Sequence, residues 1–465
     1  MNTTTPPRGP MDHSRELAIR LVEAARKAGA DACDATVGTS SSLSACARDG
    51  AIEDVTRATS RSAGLRVIIG GRLGFVTAAD APQTASELED FARLAVELAK
   101  LSTPSEHNVI PDASAGGTLA TALETALETW DDVTAAVQPG WAIEQALVME
   151  RALRSEPGID GVRDATASAR RGMFSLATST GFAGAWRGTS ASLSCSGVIE
   201  EPGGRKQIEG HWAASRKLRE LASPDSIARE AARRVLARKG ARKIESMRAP
   251  VIFDPSMARG FFGSVLQAAC GDMLARKQSF LNGRLGTVVM APGFAVIDDP
   301  LLRGGWASRP FDGEGLATAK LAILDSDGRL TTHLHDARSA ARMGEAPTGH
   351  ASRGAASLPS PSPTNTTVSG GSGDLASIIK DTTRGLLVTR VLGRAPDMVT
   401  GDYSRGAAGF LVLDGELAFA VEEVTIASSM LDMMQALDRV GGDLDCRSAL
   451  RAPTIRFAEM QVGGR

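Results

Sequence analysis

Four dipeptides do most to limit the folds open to this chain: Asp49-Gly50, Gly70-Gly71, Asp327-Gly328 and Asp414-Gly415. Each joins residues that tolerate positive φ, as a two-residue hairpin turn requires, and each lies between short stretches that read as strands. A chain punctuated in this way is expected to build antiparallel sheets. Residues 42–48 and 51–57 flank the first turn, and residues 64–69 and 72–77 flank the second. Helical periodicity brackets this meander: Ser14–Lys27 repeats apolar residues at Leu17, Leu21 and Ala24 behind a Ser14 cap, and Glu87–Leu101 does so through Leu88, Phe91, Leu94 and Leu98. The expected unit is α-β-β-β-β-α.

From 103 to 140 the sequence is broken by Ser, Thr, Gly and Pro, with one short helical run at 118–129. Trp141–Arg154 is amphipathic, residues 163–214 alternate as two or three strands, and Ser223-Pro224 opens a helix that stops at Gly240. After the strand in "APVIFDP", a helix is expected over 257–277, with small residues at Gly260, Gly263, Ala268, Ala269 and Gly271 that admit a close neighbour. Short strands follow at 286–290, 294–298, 318–324, 329–334, 386–392, 409–413, 416–420 and 454–458. The Pro/Ser/Gly-rich segment 351–374 reads as a mobile lid or an idle linker. The fold class is therefore α+β: an N-terminal α/β domain with an antiparallel sheet and flanking helices, then a mainly antiparallel C-terminal β domain of sandwich or barrel type. The boundaries read as a disordered arm (1–12), the N-terminal domain (13–102), a connection (103–140), a central helix/strand segment (141–245) and the C-terminal domain (246–465).

A formal net charge of −2 over 465 residues gives no electrostatic footprint for nucleic acid or an anionic membrane. With no signal-peptide core and no apolar run of spanning length, a soluble cytoplasmic chain is expected. The five cysteines form no C-x-x-C pair, and they read as small buried hydrophobes.

Chemistry-bearing motifs are sparse. His333 and His335 in "TTHLHD" share a strand face beside Asp336, and two imidazoles with a carboxylate suit zinc; the expected reading is nonetheless a polar, solvent-facing pair. No histidine is followed by glutamate, which excludes the zinc-protease helix in which two histidines flank a general base. Cys270 lies among apolar neighbours and reads as inert. There is no G-x-S-x-G elbow and no phosphate loop. Asp298/Asp299 and Glu422/Glu423 are adjacent acids that point to opposite faces, whereas Asp312 and Glu314 in "FDGEG" can share one and fit a glycine-flanked turn.

Several longer runs carry more information. "RPFDGEGLAT" (309–318), "GRLTTHLHDARSAARMG" (328–344), "PTN" (363–365), "VTGDYSRGAAGFLVLDGELAFAVEEVTIA" (399–427) and "DLDCRSALRAPTIRFAEMQVGG" (443–464) resemble the TldD/PmbA family, and "GDYSRGAAGF" is similar to its PmbA, or TldE, branch. "LRVIIGGRLGFVTAAD" (65–80) extends the likeness over nearly the whole chain. The resemblance implies that a TldD-type subunit carries zinc on an H-E-x-x-x-H helix, and that the TldE-type subunit pairs with it to trim peptides, including modified precursors. The matching helix here, 257–277, has neither histidine nor glutamate. So no catalytic residue, metal ligand or cofactor is expected in this chain, and zinc is expected in the partner. Cys446 lies near the place of a TldD-branch metal cysteine, but it has no histidines beside it in sequence. Candidate peptide-binding or interface residues are Asp312, Glu314, Thr348, Asn365, Asp402, Tyr403, Ser404 and Arg405. Gly401, Gly406 and Gly409 around them suit a bulged strand approached by another backbone. The alternative function is a self-associating peptide-binding or scaffold protein without protease activity.

Overall fold

The computed structural model describes residues 10–113 and 126–465. Residues 1–9 of the expected arm, and residues 118–125 of the expected helical run, lie outside the described residues.

Helix α1 (Pro10–Lys27) begins before the expected Ser14 cap, because Ser14 belongs to the same buried stripe as Leu17, Ala18 and Leu21. Strands β1 (Ala32–Arg48), β2 (Ala51–Ile69) and β3 (Arg72–Ala78) follow, then α2 (Ala85–Leu101), which is closed by a Thr84/Glu87 capping box. Both hairpin turns use positive φ at both central residues, 51° and 77° at Asp49-Gly50 and 52° and 72° at Gly70-Gly71. The meander has three strands, not four. β2 runs unbroken through the polar residues 58–62, since β1 pairs with it from Ala32↔Ile68 to Arg48↔Ala51.

Helix α3 (Pro139–Arg154) leads into β4 (Gly161–Thr178), β5 (Ala183–Glu201) and β6 (Arg205–Ser215), and α4 (Pro224–Leu236) starts at the Ser223 cap. One antiparallel sheet results, ordered β3-β2-β1-β4-β5-β6. Helices α1 and α2 bury Leu21, Leu65 and Leu88 at one end of one face, while α3 and α4 bury Met149, Leu153 and Ile227 at the other. The opposite face is covered at one end only. There, five consecutive β1 residues, Cys33 to Val37, are buried, whereas Leu43, Ala45 and Ala47 alternate with partly open neighbours. Continuous burial means that a second layer lies on the sheet, and that layer is the C-terminal domain.

The C-terminal domain opens with β7 (Met247–Phe253), α5 (Pro255–Ala268) and α6 (Gly271–Ala275). A small sheet follows, built from β8 (Ala295–Asp298), β9 (Leu321–Leu324) and later β10 (Thr366–Ser369), with Leu450–Arg451 pairing parallel to β10 as its fourth strand; α7 (Ala337–Met343) comes between β9 and β10. Strands β11 (Arg384–Leu392), β12 (Asp402–Leu413), β13 (Glu416–Ser429), β14 (Leu437–Val440) and β15 (Ile455–Gly463) complete the domain. The large sheet is ordered β13-β12-β11-β7-β15-β14, and β13 also pairs with β15, so five strands close into a barrel with β14 appended. All of its neighbours are antiparallel except β7 and β11. No helix among the described residues is long and apolar enough to cross a membrane.

Three local expectations need correction. The helix expected over 257–277 breaks after Ala268: Leu334 inserts its backbone, donating to the Ala269 carbonyl at 3.0 Å and accepting from the Gly271 amide at 2.8 Å. Residues 286–290 and 329–334 are not strands but make isolated bridges, Val288↔Arg329 and Leu324↔Leu330. The segment 351–374 is neither lid nor linker. It contributes β10, and Thr364, Asn365 and Thr366 are buried in it, with Asp298 accepting from the Thr364 amide at 2.8 Å and the Thr366 hydroxyl at 2.7 Å.

Candidate functional site

Two side-chain clusters flank α7, and both draw on residues singled out from the sequence. The first lies where the domains meet. Asp34 and Arg66 are register partners on β1 and β2, and Arg66 donates to Asp34 through Nε at 2.9 Å and also through Nη2. Arg353, from the Pro/Ser-rich segment, donates twice to the other oxygen of Asp34 at 2.9 Å, and Arg66 reaches Glu314 Oε1 at 3.0 Å. Burial alone raises the Asp34 pKa, but the two guanidinium groups outweigh it and hold that carboxyl below its usual range. Glu314 is pushed the other way: burial raises it to about 7 against the pull of Arg66. Its second oxygen accepts from the Ala337 amide at 2.7 Å, the first residue of α7. Asp312 shapes the "FDGEG" turn by accepting from the amides of Glu314 and Leu316, both at 2.9 Å, and of Ala351 at 3.1 Å. Backbone approach at this junction is close enough to demand glycine: a Cβ at Gly38 would sit 2.8 Å from that of Ala355.

The second cluster corrects the solvent-facing reading of the two histidines. His333 and His335 are 4% and 0% exposed, with their rings edge to face at 5.9 Å between centroids. Between them stands Glu345, which nothing in the sequence motif indicated. His333 Nδ1 lies 3.1 Å from Glu345 Oε1, and His335 Nε2 lies 3.1 Å from Oε2. Each of the three offers one ligand atom, and all of these lie within 4.8 Å of one another. Asp336 does not join them; it caps α7, accepting from the Ser339 amide at 2.8 Å. Gly344, left-handed at φ 66°, ends the helix and turns Glu345 back to the histidines. His335 is fixed from three sides. Its Nδ1 is 3.0 Å from Ser339 Oγ, its amide donates to Thr348 Oγ1 at 2.7 Å, and its ring covers Gly271, where a Cβ would fall within the ring. Burial depresses the His335 pKa against the pull of Glu345, while Glu345, for which burial acts upward, is held below its usual range by its bonds to the two rings.

The other sequence candidates take separate places. Thr348 supports the histidine cluster. Asn365 is a buried brace, accepting from the Ala307 amide at 2.8 Å and donating to Asp299 O and Ser308 Oγ, each at 2.9 Å. Asp402, Tyr403, Ser404 and Arg405 begin β12. Tyr403 is 3% exposed within the barrel core, burial pushes its phenol up to about 12, and Asp402 and Ser404 remain exposed. Gly409 marks a register shift where a Cβ would strike the Leu387 carbonyl, so the expected close backbone approach is present there. Cys270 is buried, with its thiol raised to about 12 by that burial, and Cys446 is exposed. On the open end of the sheet a polar groove is lined by Ser40, Ser60, Arg171, Trp186 and Trp306, with Arg353 at its end.

Known proteins place this architecture. Models of the PmbA/TldA metallopeptidase domains match residues 33–99 (domain 1), 134–239 (central domain) and 246–464 (C-terminal domain). The Metalloprotease PmbA of Escherichia coli O157:H7 is 30% identical, with 94% of this chain and 93% of that one covered. The chain belongs to the PmbA/TldD family. A Metalloprotease PmbA homolog from Haemophilus influenzae is 31% identical over 97% of this chain and 96% of its own. Among solved structures, one from Bacteroides thetaiotaomicron superposes with a TM-score of 0.87 at 25% identity, covering 98% of this chain and 99% of that one. TldE from Thermococcus kodakarensis has the same fold, with a TM-score of 0.85 at 20% identity over 96% and 99% of the two chains. A metallopeptidase family implies a metal ion, but the α5–α6 helix pair offers no imidazole and no glutamate, only Asp272 and the buried Cys270, so the three-ligand set of a catalytic zinc does not fit there.

Proposed function

We propose that this chain is the non-catalytic, TldE/PmbA-type subunit of a two-chain zinc metallopeptidase that acts on extended peptides in the cytoplasm. The observation that carries this reading is the composition of α5 and α6 within a family member that matches more than nine-tenths of each of two curated relatives. Hydrolysis of a peptide needs a metal-activated water and a carboxylate to take its proton, and these helices supply neither. The chain's contribution is then to bind and orient. Residues 51–60 of β2 pair with β1 on one side, whereas the other flank is covered only from Arg61 onward, by its bridge to Asp80 and then by β3. An uncovered strand flank beside a polar groove suits an extended backbone, held by main-chain hydrogen bonds with side-chain readout from the groove. Support also comes from the PmbA names of the full-length relatives.

The test is reconstitution. The purified chain is expected to cleave no peptide alone, to co-purify with a TldD-type chain, and to raise peptidase activity on mixing; replacing the glutamate of the partner's H-E-x-x-x-H motif should abolish that activity. Chelator-sensitive cleavage by this chain alone would overturn the reading.

A further inference from the structure

We propose that His333, His335 and Glu345 form a binding site for a divalent first-row transition-metal ion, zinc above all, which clasps α7 to the break between α5 and α6. The donor set is two imidazoles and one carboxylate, a combination that three-ligand zinc sites use, with the remaining position left to water. A tetrahedral ion holds donors about 3.4 Å apart. The two histidine–carboxylate separations here are both 3.1 Å, and no pair of ligand atoms exceeds 4.8 Å, so small side-chain rotations close the site.

Two further observations point the same way. His333 Nε2 is buried with no hydrogen-bond partner, so the ring's polar contacts are all made through Nδ1. Burying an imidazole with one orphan nitrogen is unfavourable, and a metal bond at the other nitrogen compensates more strongly than one hydrogen bond. Ser339 Oγ, 3.0 Å from His335 Nδ1, also lies 3.3 Å from the Asp336 carbonyl, which can take its proton. In that arrangement His335 donates from Nδ1 and turns an unprotonated Nε2 toward the Glu345 carboxylate. A cation between those two atoms, a metal ion as well as a proton, satisfies both lone pairs. Ser339 thereby plays the part of the partner that orients a metal-bound imidazole. The ligands come from both ends of α7, and the amide of Gly271, packed under the His335 ring, is bonded to Leu334. An ion at this point therefore closes the loop from 333 to 345 and fixes it to the helix break. The ion braces this chain, and its binding does not depend on the proposed partner.

The experiment uses the full chain without any partner, stripped with a chelator and titrated with zinc(II). The expected results are one equivalent bound, a rise in Tm on binding, and visible d–d absorption when cobalt(II) replaces zinc. Glu345→Gln, at a half-buried position, should keep the metal-free melting profile and lose at least tenfold in zinc affinity, while His107→Ala in the connection should bind as wild type does. Substoichiometric zinc with no cobalt(II) bands in the wild-type chain overturns the proposal without any reference to variants. So does equal zinc affinity in the Glu345→Gln and wild-type chains. Peptidase activity is read in parallel: metal bound without cleavage leaves both this site and the subunit assignment standing, whereas metal bound with cleavage keeps the site and removes the assignment.

Discussion

Glu314 meets the first residue of α7 and Glu345 follows its end, yet the two carboxylates live in opposite electrostatic circumstances. Around Glu314 the charges are matched within the protein: two carboxylates, Glu314 and Asp34, face two guanidinium groups, Arg66 and Arg353. Around Glu345 the partners are imidazoles, one of them pushed by burial toward its neutral form. A buried cluster that balances its own charge acts as architecture, while a carboxylate set between two imidazoles offers donors that can take a cation.

The most severe way to break this contrast is to unbalance the junction. Arg66→Met leaves Glu314 buried without its guanidinium and Asp34 with one in place of two, and should cost about 3–5 kcal/mol of stability in chemical denaturation. A smaller effect is expected at the other cluster from Gly271→Ala. The new methyl group overlaps the His335 ring and would lie 2.8 Å from Ser339 Oγ, so both must move, which costs about 1–3 kcal/mol by melting and weakens any zinc retention. A further effect is one of pH. Because the Glu314 pKa is raised in the folded chain, its proton is bound more tightly there than in the unfolded one, so this group's contribution is full below about pH 4.5 and is lost as pH rises through about 7. Relative to Glu314→Gln, the wild-type chain should therefore lose stability between about pH 5 and about pH 8, a slope read from paired thermal melts. Parallel pH profiles for the two chains would show that Glu314 titrates normally.

Legibility followed the range of the interactions. Turns and caps are local, and Asp49-Gly50, Gly70-Gly71 and the Ser223 cap were readable as they stand. The family resemblance reached across the chain because long runs such as "GDYSRGAAGF" encode barrel geometry, with Tyr403 inward and Gly409 at a register shift. What escaped was contact between distant segments. Asp34 and Arg353 are 319 positions apart, and nothing near Arg353 shows that its polar loop enters an interior. Asp34 and Thr36 lie outside the strand expected at 42–48, and the face they share is covered by the other domain. The histidines were misplaced for the same reason: their strand-like spacing was visible, but Glu345 returns to them only through a seven-residue helix and a left-handed glycine. The break in the 257–277 helix is bridged by Leu334, about sixty positions downstream, and the one local sign of it, Gly271, is a glycine that helices often tolerate.

The double pairing of β15 has a consequence for how the molecule is made. β15 bonds to β7, the first strand of the barrel, and to β13, so it is the stave that closes the ring. During synthesis β7 must wait about two hundred residues for that neighbour, and until then β7 and β13 both present bare ladder groups to any other nascent chain. The barrel is thus a slow, high-contact-order element next to a sheet whose neighbouring strands are mostly joined by tight turns. Shortening the chain before Ile455 would do more than trim it: it would expose two sticky edges at once, and aggregation rather than partial activity is the outcome to expect.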